Sequence, residues 1–510
     1  MFGASEGKLR SFSRDARGNV ALLFALSLIP LLLGVGVAVD YGRALIVRER
    51  MAAAADAAGL AIGSWPGLTE AELTTKAQQF FDANYPPDAI GTVGKLNVNF
   101  VGDEAIIVTV SGVVPTTFMQ LANVDSVGVG ASATINKKER NIELVLVLDT
   151  TGSMASSGKM AAMQSAAKKM VQDLFQNKST SDTLKIGVVP FSGAVNIGTD
   201  NSGWLDKATY PNMSAIAKED FNYANGESAL KLYDPPNITN RDWPGCVRER
   251  GGSYELTDDP PGSSAASNWA PYFAPDEPDT GNYCNNYADD KTTGSGDKRQ
   301  RYTPKYNNLT VQGGTACASM PQGPDFNCPP RAITPMTNIQ GQVVSAIEEL
   351  QPKGYTVIPA GLLWGWRAIS PTVPFTEGAA YNDEKWVKAI VLLTDGQNEV
   401  NGGSNGHNES VYNAFGYAAC CGSSGHLGSA NGSQAESTLN SKTATVCSAI
   451  KAKGILLYTI GFQLSSSTTQ NLLKNCATKP DMYYNSPSNE QLAGVFQDIA
   501  QGLSELRIAQ

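Results

Sequence analysis

Twenty consecutive uncharged residues, Val20 to Val39, constrain this chain more than any other stretch. As a helix rising about 1.5 Å per residue, they match a bilayer core of roughly 30 Å. Lys8, Arg10, Arg14 and Arg17 precede the run against Glu6 and Asp15, whereas Asp40, Arg43, Arg48, Glu49 and Arg50 nearly balance after it. The basic flank puts the N-terminus in the cytoplasm and the bulk of the chain on the far side. Pro30 at mid-span is tolerable, because transmembrane helices re-satisfy the backbone group it frees. The competing reading is a cleaved signal peptide, but its apolar core is normally about 7–15 residues and no clear A-x-A site follows here. A retained single-pass anchor is the expectation.

The cysteines agree with that topology. All eight lie after residue 240: Cys246, Cys284, Cys317, Cys328, Cys420, Cys421, Cys447 and Cys476. An even number in loop-like sequence reads as disulfides in an oxidising compartment, and the lack of a C-x-x-C pair argues against a zinc ribbon or a thioredoxin-like site. Cys447 with Cys476 is the one pairing expected; the other six stay open. A net charge of -9 without a basic, aromatic-rich patch excludes nucleic acid as a partner. Two histidines, His407 and His426, leave little room for imidazole chemistry.

Beyond the cytoplasmic tail 1–17, residues 18–62 read as anchor and stalk, since the run passes into the Ala-rich, helix-favouring Met51–Leu60. Unbroken, such a helix is roughly 65 Å long. Residues 63–136 read as a small α+β region: a helix over 69–84, then strands over 95–100, 104–114 and 127–135, with a turn at Gly102-Asp103. The charged linker Lys137–Arg140 marks a boundary. From 141 to 508 strands and helices alternate, and the nearly continuous apolar run Glu143–Leu148 suits a strand covered on both faces. This pattern indicates a doubly wound α/β sheet. Residues 199–335 and 398–433 break the alternation and read as insertions, the first leaving an antiparallel edge strand at Ala194–Ile197. The clusters Asp258-Asp259, Asp276-Glu277-Asp279 and Asp289-Asp290 lack EF-hand spacing and read as solvated faces. Trp269, Tyr272 and Phe273 suit either partner contact or a small core within the insertion.

The first buried-type strand ends in Asp149-Thr150-Thr151-Gly152-Ser153. Gly354-Tyr355-Thr356 precedes a helix start at Gly361, and a later strand ends in Thr394-Asp395-Gly396. In open α/β sheets, ligands bind at the carboxyl ends of the strands. The pentapeptide alone is a weak signal, because Asp also caps helices. The three elements together resemble the metal-ion-dependent adhesion site of von Willebrand factor A domains. That resemblance implies a Rossmann-like von Willebrand A-type sheet in which Thr151 and Ser153 ligate through hydroxyls and Thr356 directly or through water. Asp149 and Asp395 would bind the ion or orient its waters. Mostly neutral oxygen donors suit Mg²⁺, with Mn²⁺ or Ca²⁺ as alternatives, and do not suit zinc. Two carboxylates leave such an ion positive enough to take an Asp or Glu from a protein partner. The sequence has Thr151 where many members of that family have Ser.

Arg17-Gly18-Asn19-Val20-Ala21, the anchor, Asp40-Tyr41 and the Ala-rich Met51–Leu60 resemble TadG-like proteins of the tight-adherence (Flp) pilus-assembly system. Trp269-Ala270-Pro271-Tyr272-Phe273 and Gly361–Arg367 are also similar to segments of that group. The resemblance implies a bacterial inner-membrane protein, its bulk periplasmic or exported, that assists assembly or attachment of pili and binds a pilus or envelope component, without enzymatic activity. Gly18 precedes the apolar run, but Leu23 stands where a prepilin peptidase substrate has Glu, so processing is not expected. A metal-dependent hydrolase is the alternative, with Glu399 or His407 as its base. A structural pilus subunit is the third reading, disfavoured by the large C-terminal domain. P-loop and G-x-S-x-G motifs are absent.

Overall fold

The computed structural model describes residues 17–63, 69–85, 91–101, 105–136, 140–234, 236–281, 283–311, 314, 320–400, 408–420, 423–424, 427 and 432–508. The chain divides at Glu139/Arg140 into two compact units.

In the first unit the helix Arg17–Gly63 runs unbroken through Pro30. Its early part leaves Leu22, Leu23, Phe24, Ile29 and Leu31 exposed. Its later part buries Ala44, Val47, Met51, Ala54, Ala58 and Ile62, a stripe at three- and four-residue spacing. That stripe packs on the helix Glu70–Asn84 and on an antiparallel four-stranded sheet. Thr69 and Glu72 start the second helix with a reciprocal capping box. In the sheet, Ala105–Pro115 pairs with Thr92–Val93, Asn97–Val101 and Ser126–Asn136. The anticipated turn at Gly102-Asp103 lies outside the described residues. Among the described residues, one helix is long and apolar enough to cross a membrane, and it is this one.

The second unit is an α/β domain on a six-stranded sheet. Its strand order is Tyr483–Ser486, Leu456–Phe462, Trp386–Thr394, Asn141–Asp149, Leu184–Phe191 and Thr334–Thr337. All neighbours are parallel except the last pair. The central strand alternates between two cores: Ile142, Leu144, Leu146 and Leu148 face one, Val145 and Val147 the other. Helices Lys159–Leu174, Gln340–Glu348 and Asn489–Ile508 cover the first face. Helices Ile358–Ile369 and Gly432–Ala452 cover the second.

The insertions form a third layer over the second face. Every residue of Ile358–Ile369 is buried, as suits a helix with no polar side. Trp269 packs against Trp364 in a tilted pair with ring centroids 4.9 Å apart, and the buried Arg367 lies against both rings while donating to Glu249 at 2.7 Å. The two insertions share bonds: Asp220 accepts from Arg248 and from the Tyr412 hydroxyl, Asn327 donates to the Tyr412 carbonyl, and Asn408 donates to Gln300. A disulfide joins Cys246 to Cys328, and another joins Cys447 to Cys476. Cys284 is also disulfide-bonded, and Cys421 lies outside the described residues.

Several expectations need correction. The antiparallel edge strand is Thr334–Thr337, at the end of the insertion, whereas Val195–Asn196 pairs with Cys246–Val247 in a separate ribbon. The helix after Thr356 begins at Ile358, not Gly361, because the Asn398 side chain accepts the Ile358 N–H at 2.8 Å. Asp276 and Glu277 are not solvated: both are buried, and Asp276 pairs with the buried Lys305 at 2.7 Å. Of the two roles open to Trp269, Tyr272 and Phe273, they take the second and form the core of the insertion layer.

Candidate functional site

Parallel pairing brings two strand-end loops to one rim, where a third loop, between the helices Gln340–Glu348 and Ile358–Ile369, joins them. Asp149 is the last residue of the central strand, and Thr394 closes the neighbouring one, so Asp395 follows beside it. The Thr356 loop is tied to the first loop through the backbone: Gly152 N donates to Gly354 O at 2.8 Å and Lys353 N to Thr150 O at 2.7 Å. Gly354 is at φ +89, and a Cβ there would come within 2.7 Å of Asn327 Oδ1. That same oxygen accepts the Tyr355 N–H at 2.8 Å. Thus the large insertion braces the Thr356 loop from behind without lining the cleft.

The five residues singled out from sequence converge. Asp149 is fully buried; one oxygen accepts the Thr151 N–H at 2.8 Å and the other accepts the Thr394 hydroxyl at 2.6 Å. Thr151 Oγ1 and Ser153 Oγ stand 3.0 Å apart, and Ser153 Oγ donates to Asp395 Oδ1 at 2.6 Å. A Cβ on Gly396 would lie 3.2 Å from Thr356 Oγ1 and 4.0 Å from Ser153 Oγ, so only glycine leaves the space between these hydroxyls clear. Thr151, Ser153, Thr356 and Asp395 line one cleft of about 590 Å³, with Glu399 on its wall. Asp149 lies beneath its floor. Burial, reinforced by the Asp395 charge, pushes the Asp149 carboxyl up to about 7 against its hydrogen bonds from Thr151 and Thr394.

Sequence reading overlooked Lys159. It begins the helix Lys159–Leu174, and its ammonium donates to Asp395 Oδ2 at 2.8 Å. Thr394, named in that reading only as the residue before Asp395, gains a role as donor to Asp149. Glu399 reaches the cleft, while His407 lies outside the described residues. Among the described residues no three His, Cys, Asp or Glu side chains cluster for a metal; the rim offers hydroxyls and two carboxylates instead. Three converging hydroxyls, a glycine that keeps them accessible and a buried carboxylate pair fit a hard, oxygen-preferring divalent cation.

A mostly parallel sheet with helices on both faces and one antiparallel edge strand, carrying this rim, is a von Willebrand A-type α/β fold. At the other end of the chain, residues 18–63 match the Tad family model, Flp pilus-assembly TadE/G-like. The N-terminal helix is thus TadE/G-like. No curated protein matches the chain. Solved structures similar to it include the vWF domain of the type V pili tip protein Mfa5 from Porphyromonas gingivalis, at 11% identity and TM-score 0.35, covering 73% of this chain and 97% of that one. The pilus adhesin SpaC from Lactobacillus rhamnosus GG is similar at 12% identity and TM-score 0.32, over 82% of this chain and 35% of that one. The PilB minor pilin from Streptococcus sanguinis is similar at 13% identity and TM-score 0.33, over 82% of this chain and 80% of that one.

Proposed function

We propose that this is a membrane-anchored envelope protein that assists assembly or attachment of tight-adherence pili by gripping a protein carboxylate through a divalent cation, Mg²⁺ first among candidates. The observation that carries the reading is the convergence of Thr151, Ser153, Thr356 and Asp395 on one open cleft above Asp149. Thr151 and Ser153 would hold the ion through hydroxyls and Thr356 directly or through water, while Asp149 and Asp395 would ligate it or orient its waters. When bound, the ion supplies positive charge to a partner's Asp or Glu. Asp149 keeps the Thr151 backbone in place, Thr394 keeps Asp149 in place, and Asn398 fixes the start of the helix behind Thr356. The N-terminal match to the Tad family supports the pilus context, and the apolar run supports anchoring of the chain by Val20–Val39 in the inner membrane.

The test is a pull-down from envelope fractions with the full-length protein in detergent. Capture of a partner is expected with Mg²⁺, and its loss with chelator, with Asp149→Ala and with Thr356→Val. The second substitution keeps the shape of the side chain and removes only the hydroxyl. Capture indifferent to all three changes would rule out the cation-bridged mechanism.

A further inference from the structure

Within the first unit, residues 105–124 carry no charge, and they end in a loop whose apolar tip is uncovered. Leu121 is 80% exposed and Phe118 44%. The loop is held to the long helix. Asp40, the first charged residue after the apolar run, is buried, and its carboxylate accepts the N–H groups of Thr117, Phe118 and Met119 at 3.0, 2.8 and 2.8 Å. Arg43 donates to the Thr117 hydroxyl at 2.7 Å. One turn before Asp40, on the same helix face, Gly36 lets Phe118 lie directly on the backbone; a Cβ there would come within 2.5 Å of Phe118 Cβ.

The loop therefore turns back along the helix, toward the apolar run and away from the rest of the unit. Phe118 and Leu121 share a groove of about 520 Å³ with Ile29, Leu32, Gly36 and Val39. Ile29 is eleven residues before Asp40, roughly 16 Å along the axis and about half of a bilayer core. We infer that the loop 117–124 is a second membrane contact, which dips Phe118 and Leu121 among the acyl chains of the leaflet next to Asp40. This rests on the reading of Val20–Val39 as a span. Acyl chains are the occupant because the opposite wall of the groove is the apolar run itself, continuous with the face that the span gives to lipid. In water, an uncharged patch with these side chains at its tip is a cost that soluble surfaces avoid. In the leaflet it becomes an anchor that fixes the rotation of the helix about its axis.

The experiment places a photoreactive benzoylphenylalanine at Leu121 in the full chain, illuminated in native membranes, with the same residue at Leu26 and at the exposed Gln79 as references. Phospholipid adducts are expected at Leu121 in yield comparable to Leu26, with none at Gln79. Asp40→Ala is expected to cut the adduct at Leu121 several-fold and leave that at Leu26 unchanged, because the loop loses its three backbone anchors. Labelling at Leu26 without labelling at Leu121 would remove the loop's role and leave the anchor standing. Adducts at Leu121 to a protein would replace lipid with a polypeptide partner. Absence of lipid adducts at both positions would overturn the span itself, and the loop contact with it.

Discussion

Lys159 gives its ammonium to the Asp395 oxygen that does not accept from Ser153, so an arriving cation meets a rim that already holds one positive charge. Freed of Lys159, Asp395 offers that oxygen to the ion. Lys159→Met is therefore expected to bind Mg²⁺ about tenfold more tightly by calorimetric titration, a change of about 1.4 kcal/mol. The same variant without Mg²⁺ is expected to lose about 1–3 kcal/mol of stability, because a buried carboxylate loses its charged donor. Unchanged affinity would mean that Lys159 only supports the fold. Glu277 provides a test away from the rim. Burial, with the charge of Asp276 adding to it, raises its carboxyl to about 7 despite hydrogen bonds from Asn285 and Asn408. A raised acid favours the folded state below its ordinary range, and this contribution disappears as pH rises through about 7. Glu277→Gln is thus expected to match the wild type in unfolding free energy below about pH 5 and to exceed it at pH 8, by up to about 3 kcal/mol, read by denaturant unfolding at the two pH values. Asp149, Thr151, Ser153 and Asp395 are legible because they stand at or just after strand ends announced by buried-type runs, whereas Thr356 follows a helix and is found only through its place in the motif. Lys159 is not legible, since its role appears only once a helix carries it back over a loop from another part of the chain.

At the scale of elements, the helix Ile358–Ile369 shows what sequence can and cannot tell. Its composition, Leu362, Leu363, Trp364 and Trp366 without an exposed polar side, calls for burial on all sides. What buries it was hidden, because the insertion has few regular elements and no periodicity to read. The insertion instead assembles around Trp269, Tyr272 and Phe273 and around paired charges such as Arg248 with Asp220. The strand Tyr483–Ser486 and the helix Ser467–Cys476 also escaped notice, being short and nearly as polar as loops. The Cys246–Cys328 bridge spans 82 residues and the Cys447–Cys476 bridge 29. In chain-entropy terms, Cys246→Ser with Cys328→Ser is expected to cost about 4–5 kcal/mol, and removal of the second bridge about 3–4 kcal/mol. Denaturant unfolding of the two variants checks both values. The larger loss is expected to fall on the insertion layer, read as hydrogen exchange over residues 246–328.

At the scale of the whole molecule, two units follow one another along the chain, the first opening on a TadE/G-like helix over 18–63 and the second an enlarged A-type domain. The mostly parallel sheet is readable from hydrophobic patterning. The antiparallel edge was placed too early, since Ala194–Ile197 and Thr334–Thr337 flank the same insertion and are equally short. A periplasm-active reporter fused after Arg140 is expected to be active; an inactive fusion would reverse the assigned topology. The central strand has a mechanical consequence under the proposed function. Asn141 continues from the linker to the anchor, and Asp149 ends at the rim. The share of tension taken by Thr151 and Ser153 thus runs lengthwise through nine residues, with parallel ladders to Leu184–Phe191 and Trp386–Thr394 on either side. Those ladders are loaded in shear, so their hydrogen bonds resist together and do not unzip one at a time. The strand that presents Thr151 and Ser153 also bears their load.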